Sequence, residues 1–465
     1  MTNRNLLALI LLIVFTLTGC QTAAVPAPAP EAAPTAAVPS PESTPTPALT
    51  PVPEPDPLAE QLAAMTVEEK VGQLLIGGFE GTEIGDQATR LVQEYQVGGL
   101  ILYGRNIAGA GQLVTLTNGL KALNGDGIPL FLSIDQEGGG VDRMPPEVRR
   151  TPGAYCVGQT GSVPAAQSYG DVLAAECAAF GLNLDFAPVL DVWSNPGNTV
   201  IGQRAFSADA RTVAGLGPAP APRQQGPGHA PPGVPVCPTP ATPARGPRAS
   251  RAPARPGAGR GPAAARRMMD QGIIPAVKHF PGHGDTAVDS HVGLPVVDKS
   301  PEELEETELI PFRAAIQSAG TDGQVPAVMV AHILLTQLDP ERPASLSPAV
   351  VTGLLREELG FAGAVLTDDL TMGAVTQSYG LGEAAVLAVE AGCDILLVCH
   401  GQDSVPAVRT ALLEAVASGR ITAERLDESV YRILRLKTEY ALTNEPVSPP
   451  DLEALNAQIG AVPVQ

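Results

Sequence analysis

The chain has 465 residues and a formal charge of −20, from 49 acidic and 29 basic side chains. A surface of that sign repels the phosphates of nucleic acid and of anionic membranes, which argues against a general affinity for either. An apolar share of 44% is enough for a large buried core, so most of the chain reads as globular.

The first twenty residues, MTNRNLLALILLIVFTLTGC, place a basic residue before an apolar run from Leu6 to Leu17 that stops at Thr18-Gly19-Cys20. The run is too short and too early for a spanning helix. Its end resembles a bacterial lipobox, which implies a signal peptide over 1–19, lipidation of Cys20, and a lipoprotein held to the cell envelope outside the cytoplasm. Residues 20–57 are mostly Ala, Pro, Ser and Thr, cannot bury a core, and are expected to be an extended tether. One domain is expected over 58–442, with a tail over 443–465. Beyond Cys20, the cysteines Cys156, Cys177, Cys237, Cys393 and Cys399 are odd in number and widely spaced. They read as separate thiols, not as a disulfide framework or a zinc site.

Eight short apolar runs follow in order: 73–79, 98–103, 129–134, 182–188, 273–280, 327–333, 363–369 and 394–399. Each leads into a polar loop and then a helical pattern, which predicts an α/β fold, a (β/α)8 TIM-type barrel. Polar residues gather at the C-terminal ends of the runs: Arg105, Asn106, Asp135, Asp185, Asp191, Lys278, His279, His332, Asp368 and His400. In a parallel barrel those ends converge on one face, where sites are built. Helices are predicted over 300–319, to Gly360, and over 421–442, the last closing the barrel.

One stretch breaks the pattern. From Ala210 to Met269 there is no Asp, Glu or Lys, while Pro, Ala, Gly and Arg dominate. A crossover helix is due there, yet only RTVAGLG (211–217) reads as a helix start and RRMMDQG (266–272) as a helix end. The segment between reads as an insertion or a frame-shifted replacement, which would leave the barrel wall incomplete.

The fifth run ends in Lys278 and His279, and the loop behind it, PGHGDTAVDSHVGLP, holds two His, two Asp and three Gly. Glycines permit unusual dihedrals and close approach to a ligand. Asp289 and His291, two apart, can point the same way in an extended loop, so the carboxylate can orient and charge the imidazole for acid–base work. The same pair also serves a plain loop-stabilising hydrogen bond.

KHFPGHGDTAVDSH resembles the signature of glycoside hydrolase family 3, in its β-N-acetylglucosaminidase branch. IDQEGG (134–139), LNLDFAPVLDV (182–192), NPGNTVIGQRAF (195–206) and VLTDDLTMGA (365–374) are similar to that branch in the same order. The resemblance implies Asp368 as nucleophile, Asp289 and His291 as the acid/base dyad, and Asp135, Arg143, Arg204, Lys278 and His279 as binders of the terminal sugar. It implies a retaining, exo-acting β-N-acetylhexosaminidase that acts on cell-wall fragments or chitin-type oligosaccharides, needs no cofactor or metal, and works as a monomer. In such an enzyme Asp368 attacks the anomeric carbon while His291 protonates the departing oxygen, then activates water.

One position departs from the family pattern, because Gly140 stands where Arg usually follows IDQEGG; support of that loop is therefore an open question. Asp369 reads as a supporting carboxylate, and His332 and His400 read equally as pocket walls or as satisfied barrel-end histidines. Other readings compete. His283, Asp285, Asp289 and His291 together suit zinc or manganese. A β-glucosidase-like or β-xylosidase-like specificity, a phosphorolytic reaction, and a non-catalytic glycan-binding lipoprotein complete the alternatives.

Overall fold

The computed structural model describes residues 56–215, 263–290, 293–317 and 324–464. Among the described residues ten strands occur: β1 Leu75–Gly78, β2 Gly99–Leu102, β3 Phe131–Ile134, β4 Leu184–Asp185, β5 Ile274–Phe280, β6 Val296–Val297, β7 Ala327–Val330, β8 Leu334–Leu335, β9 Ala364–Asp369 and β10 Ile395–Val398. Eight of them close a barrel in the order β1-β10-β9-β7-β5-β4-β3-β2, and β6 pairs with β8 in a small separate sheet. All the barrel pairings are parallel. Each of the eight apolar runs contains one barrel strand, so the (β/α)8 reading holds.

Strands covered on both faces need apolar side chains at every position, which is why these runs do not alternate. The barrel strands are buried throughout except at Asp368, which is partly open to the mouth. Closure between β1 and its neighbour β10 depends on glycine. A Cβ at Gly78 would run into the Cys399 carbonyl.

The helices are started and stopped by local chemistry. Asp209 caps the short helix Ala210–Val213 through Thr212 N–H at 2.8 Å. Ser300 and Glu303 form a reciprocal cap on Pro301–Glu306. The expected single helix over 300–319 is two, Pro301–Glu306 and Leu309–Ile316, because Thr307 leaves helical dihedrals. Gly392 takes φ +114° and ends Leu381–Ala391.

Around the anomalous stretch, both flanks fit the barrel. The helix Ala263–Asp270 packs on Val163–Ala179, where Gly170 leaves no room for a side chain against Ala264. Residues 216–262 lie outside the described residues, as do the signal run and Cys20. Among the described residues no helix is long and apolar enough to cross a membrane.

Two expectations need correction. The 443–465 segment carries a further helix, Leu452–Gly460, which buries Leu455 and Ile459 and packs on Val163–Ala179. Its apolar stripe is only a few residues long, too short to stand out by period. Cys177, Cys393 and Cys399 are buried thiols, but Cys156 is disulfide-bonded. An odd count over long spacings hides a single pair.

Candidate active site

The C-terminal ends of β3, β5 and β9 and the loop after β4 bring charged residues together. Lys278 Nζ, buried at the end of β5, reaches Asp135 Oδ1 at 2.5 Å and Glu137 Oε1 at 2.7 Å, both just after β3. Arg204 grips Glu137 with two parallel bonds, Nε to Oε2 at 2.8 Å and Nη2 to Oε1 at 2.7 Å, the planar fork that makes such pairs strong. Burial by itself would neutralise Glu137, but the Arg204 and Lys278 cations hold its carboxyl far below the usual carboxylate range. Burial likewise disfavours the Lys278 ammonium, and Asp135 and Glu137 outweigh it, keeping the group charged above its ordinary range.

His279 is fixed from both sides. Its Nδ1 lies 2.6 Å from Asp191 Oδ2, and Nε2 lies 3.3 Å from Arg204 Nη2. A guanidinium only donates, so Nε2 accepts and Nδ1–H points at Asp191. Asp191 is fully buried, and although burial opposes its charge, His279, His283 and their hydrogen bonds lower its pKa.

Asp368 stands at the end of β9. Burial raises its carboxyl, but the fields of His332, His279 and Lys278 and the hydrogen bond from Asp369 N at 2.8 Å outweigh this, so it ionises below the ordinary range. A carboxylate kept ionised yet desolvated is suited to nucleophilic attack. Asp369 accepts from Thr371 N and Cys399 N, both at 3.0 Å, which ties β9 to β10, and its other oxygen lies 3.7 Å from His400 Nε2. His332 is satisfied by Ser345 Oγ at 2.6 Å and the Asp369 carbonyl at 3.0 Å, so it is a structural histidine. His400 is half-exposed at the rim, against Tyr103 and Arg105.

The glycine-rich loop after β5 meets this cluster at His283, whose N–H donates to Asp191 Oδ1 at 2.6 Å. Lys299 holds it, bonding Asp285 at 2.8 Å and Glu308 at 2.6 Å. At its far end the Ser290 carbonyl accepts from Ala374 N at 3.0 Å, just beyond Asp368 on the chain after β9. Asp289 therefore sits, half-buried, one residue from a tie to the Asp368 side. His291 lies outside the described residues. His283 spends both ring nitrogens, on Thr286 Oγ1 at 2.7 Å and Ser290 Oγ at 3.3 Å. With Asp285 paired to Lys299, these two do not converge as metal ligands.

Of the sugar-binding residues expected from sequence, Asp135, Arg204, Lys278 and His279 meet in one cluster. Arg143 does not join its ion pairs among the described residues; its Nε is buried without a partner, while its backbone N–H donates to Gln136 Oε1 at 2.7 Å. The loop lacking the usual Arg at Gly140 is held otherwise, by Glu137 N to Val141 O at 2.9 Å and Gly139 N to Thr151 O at 2.8 Å. A Cβ at Gly140 would touch nothing. Of the other members of the cluster, Glu137 was missed, and Asp191 was placed on the right face but given no role. Both lie inside the quoted motifs IDQEGG and APVLDV, so their signal was present, but which acids turn inward depends on the fold.

Residues 66–436 match the glycosyl hydrolase family 3 N terminal domain. A beta-hexosaminidase from Alkalilimnicola ehrlichii is 34% identical over 340 residues, 72% of this chain and 82% of that protein. The beta-hexosaminidase A of Pseudoalteromonas piscicida is 29% identical over 81% of this chain, which spans only 60% of that longer protein. The solved structure of a glycoside hydrolase family 3 beta-N-acetylglucosaminidase from Paenibacillus sp. str. FPU-7 is 39% identical and superposes with a TM-score of 0.72, covering 85% of this chain and 68% of that one. The barrel, the charged cluster at its C-terminal face and these likenesses agree, and the chain belongs to glycosyl hydrolase family 3 as one of its glycosidases.

Proposed function

We propose that the protein is a retaining, exo-acting β-N-acetylhexosaminidase that removes terminal N-acetylglucosamine from cell-wall fragments or chitin-type oligosaccharides. The observation that carries this reading is the ionised, desolvated Asp368 beside the Asp135–Lys278–Glu137–Arg204 cluster, with the loop bearing Asp289 tied down at Ala374. The beta-hexosaminidase relatives supply the substrate class.

In this mechanism Asp368 attacks the anomeric carbon and forms a glycosyl ester, while His291, oriented and charged by Asp289, protonates the leaving oxygen. His291 then takes a proton from water, which releases the sugar. Lys278 and Arg204 donate to sugar hydroxyls and Asp135 accepts from them, while Glu137 keeps these donors aimed and Asp191 holds His279. The reading extends to a monomer without cofactor, and the N-terminal lipobox supports a lipoprotein anchored outside the cytoplasm through Cys20.

The test is Asp368→Asn assayed on 4-nitrophenyl β-N-acetylglucosaminide. Loss of turnover by about 10³-fold or more is expected for a missing nucleophile. Turnover at the wild-type rate refutes the assignment, and a wild-type protein that ignores this substrate but cleaves the β-glucoside or β-xyloside refutes the specificity.

A further inference from the structure

Trp193 is the single tryptophan of the chain, and it stands on the barrel's C-terminal face in the loop after β4, two residues beyond Asp191. It is half-buried. Its ring meets that of Tyr155 edge-on, with centroids 5.7 Å apart at 80°. Among the described residues neither ring belongs to the apolar core or to the partly buried side chains packed against it. The largest apolar side chain in the protein is thus spent outside the core, at the mouth of the barrel.

The indole is also held in one orientation. Its Nε1–H donates to the Asn198 carbonyl at 3.1 Å, and Trp193 N–H donates to Ser207 O at 3.1 Å. The same turn is stitched to the loop after β5: Asn198 Nδ2 donates to His283 O at 2.7 Å, and Asn195 N donates to Gly284 O at 3.3 Å. Gly284 lies so close to Val192 that a side chain there would collide with its carbonyl. The Trp193 turn and the Asp289 loop are therefore joined by several hydrogen bonds and a close backbone contact. Asp191, two residues earlier, accepts from His283 N–H of that loop at 2.6 Å and also holds His279, on the side where the terminal sugar is expected to bind.

In a retaining glycosidase the leaving group departs on the side of the proton donor. A pyranose presents an apolar face of C–H groups that packs well on an aromatic ring, whereas a small alkyl group does not cover one. We propose that Trp193, backed by Tyr155, is the stacking platform for a leaving group that is itself a sugar ring, and so sets a preference for oligosaccharides over simple alkyl glycosides. The inference rests on the hydrolase reading given above, with the Asp289 loop as its acid side.

Trp193→Ala and Trp193→Phe would be compared with the parent on N,N′-diacetylchitobiose and on methyl β-N-acetylglucosaminide. Trp193→Ala is expected to lower kcat/KM on the disaccharide about tenfold and on the methyl glycoside by no more than roughly twofold, with Phe recovering most of the loss. Equal losses on both substrates mean that Trp193 only supports the loop and overturn the proposal. In an Asp368→Asn background, where the disaccharide persists, the emission of this sole indole is expected to change with the disaccharide but not with N-acetylglucosamine. Unchanged emission alongside wild-type cleavage of the disaccharide refutes the platform alone. A parent protein that cleaves neither glycoside refutes the activity itself.

Discussion

Glu176 is fully buried behind the sugar-binding loop, where Thr151 Oγ1 lies 2.6 Å from one of its oxygens and Gln136 Nε2 donates to the other at 2.9 Å. Burial, reinforced by the charge of Asp142 and only partly offset by those two hydrogen bonds, pushes its carboxyl up to about 8 from an ordinary 4.5. The folded protein therefore keeps a proton that the unfolded chain releases above pH 4.5. Stability from this group is fully present below pH 4.5 and is lost as the pH rises toward 8. A displacement of that size, at about 1.4 kcal/mol per unit, corresponds to roughly 5 kcal/mol at complete loss. Glu176→Gln replaces the neutral acid with a group of the same shape that can donate to Thr151 and accept from Gln136. Its stability relative to the parent should be near zero at pH 4.5 and should favour the variant by several kcal/mol at pH 8. Urea unfolding at a series of pH values, read by circular dichroism, measures the difference. Parallel stability curves for the two proteins across this range would refute the reasoning.

Lys437 is buried at the opposite, N-terminal end of the barrel, bonded to Gln73 Oε1 at 2.8 Å and Gly98 O at 2.9 Å with no carboxylate partner among the described residues, and burial pushes its ammonium down to about 7. Its charging penalises the folded state fully below pH 7, and the penalty fades as the pH rises toward the unfolded value of 10.5. The parent should therefore gain on Lys437→Met by up to about 1.4 kcal/mol per pH unit between pH 7 and 10, and a pH-independent difference would contradict this. Glu137→Gln leaves Lys278 and Arg204 buried with one fewer carboxylate, so a loss of about 3 kcal/mol in urea unfolding is expected together with a raised KM; a variant as stable as the parent would show the pair to be dispensable. His291→Ala should slow substrates with poor leaving groups by at least about 10²-fold more than activated aryl glycosides, and equal losses on both would exclude its acid role.

The barrel was legible in the sequence because each strand is a local event. A run such as DILLVC is apolar at nearly every position, stops at a polar residue, and needs no knowledge of its neighbours to be read. The site was legible in part for the same reason: Lys278, His279 and Asp368 mark the strand ends that a parallel barrel must bring together. Glu137 was not found, and Asp191 was placed at a strand end without a role, although both lie within recognised motifs. An acid's role depends on what it faces, and Lys278 reaches Asp135 across 143 residues of chain.

The same division separates what the chain determines locally from what its packing decides. Strand count, strand order along the chain, helix starts and the catalytic face follow from short-range patterns of burial and capping. Only the closed barrel decided that Glu137 is shared between two cations, that His332 is a satisfied structural histidine, that Arg143 stays out of the ion-pair cluster, and that Trp193 stands beside the Asp289 loop instead of in the core. These outcomes turn on desolvation and on partners far apart in sequence, so they exist only once the eight strand ends have been drawn to one face.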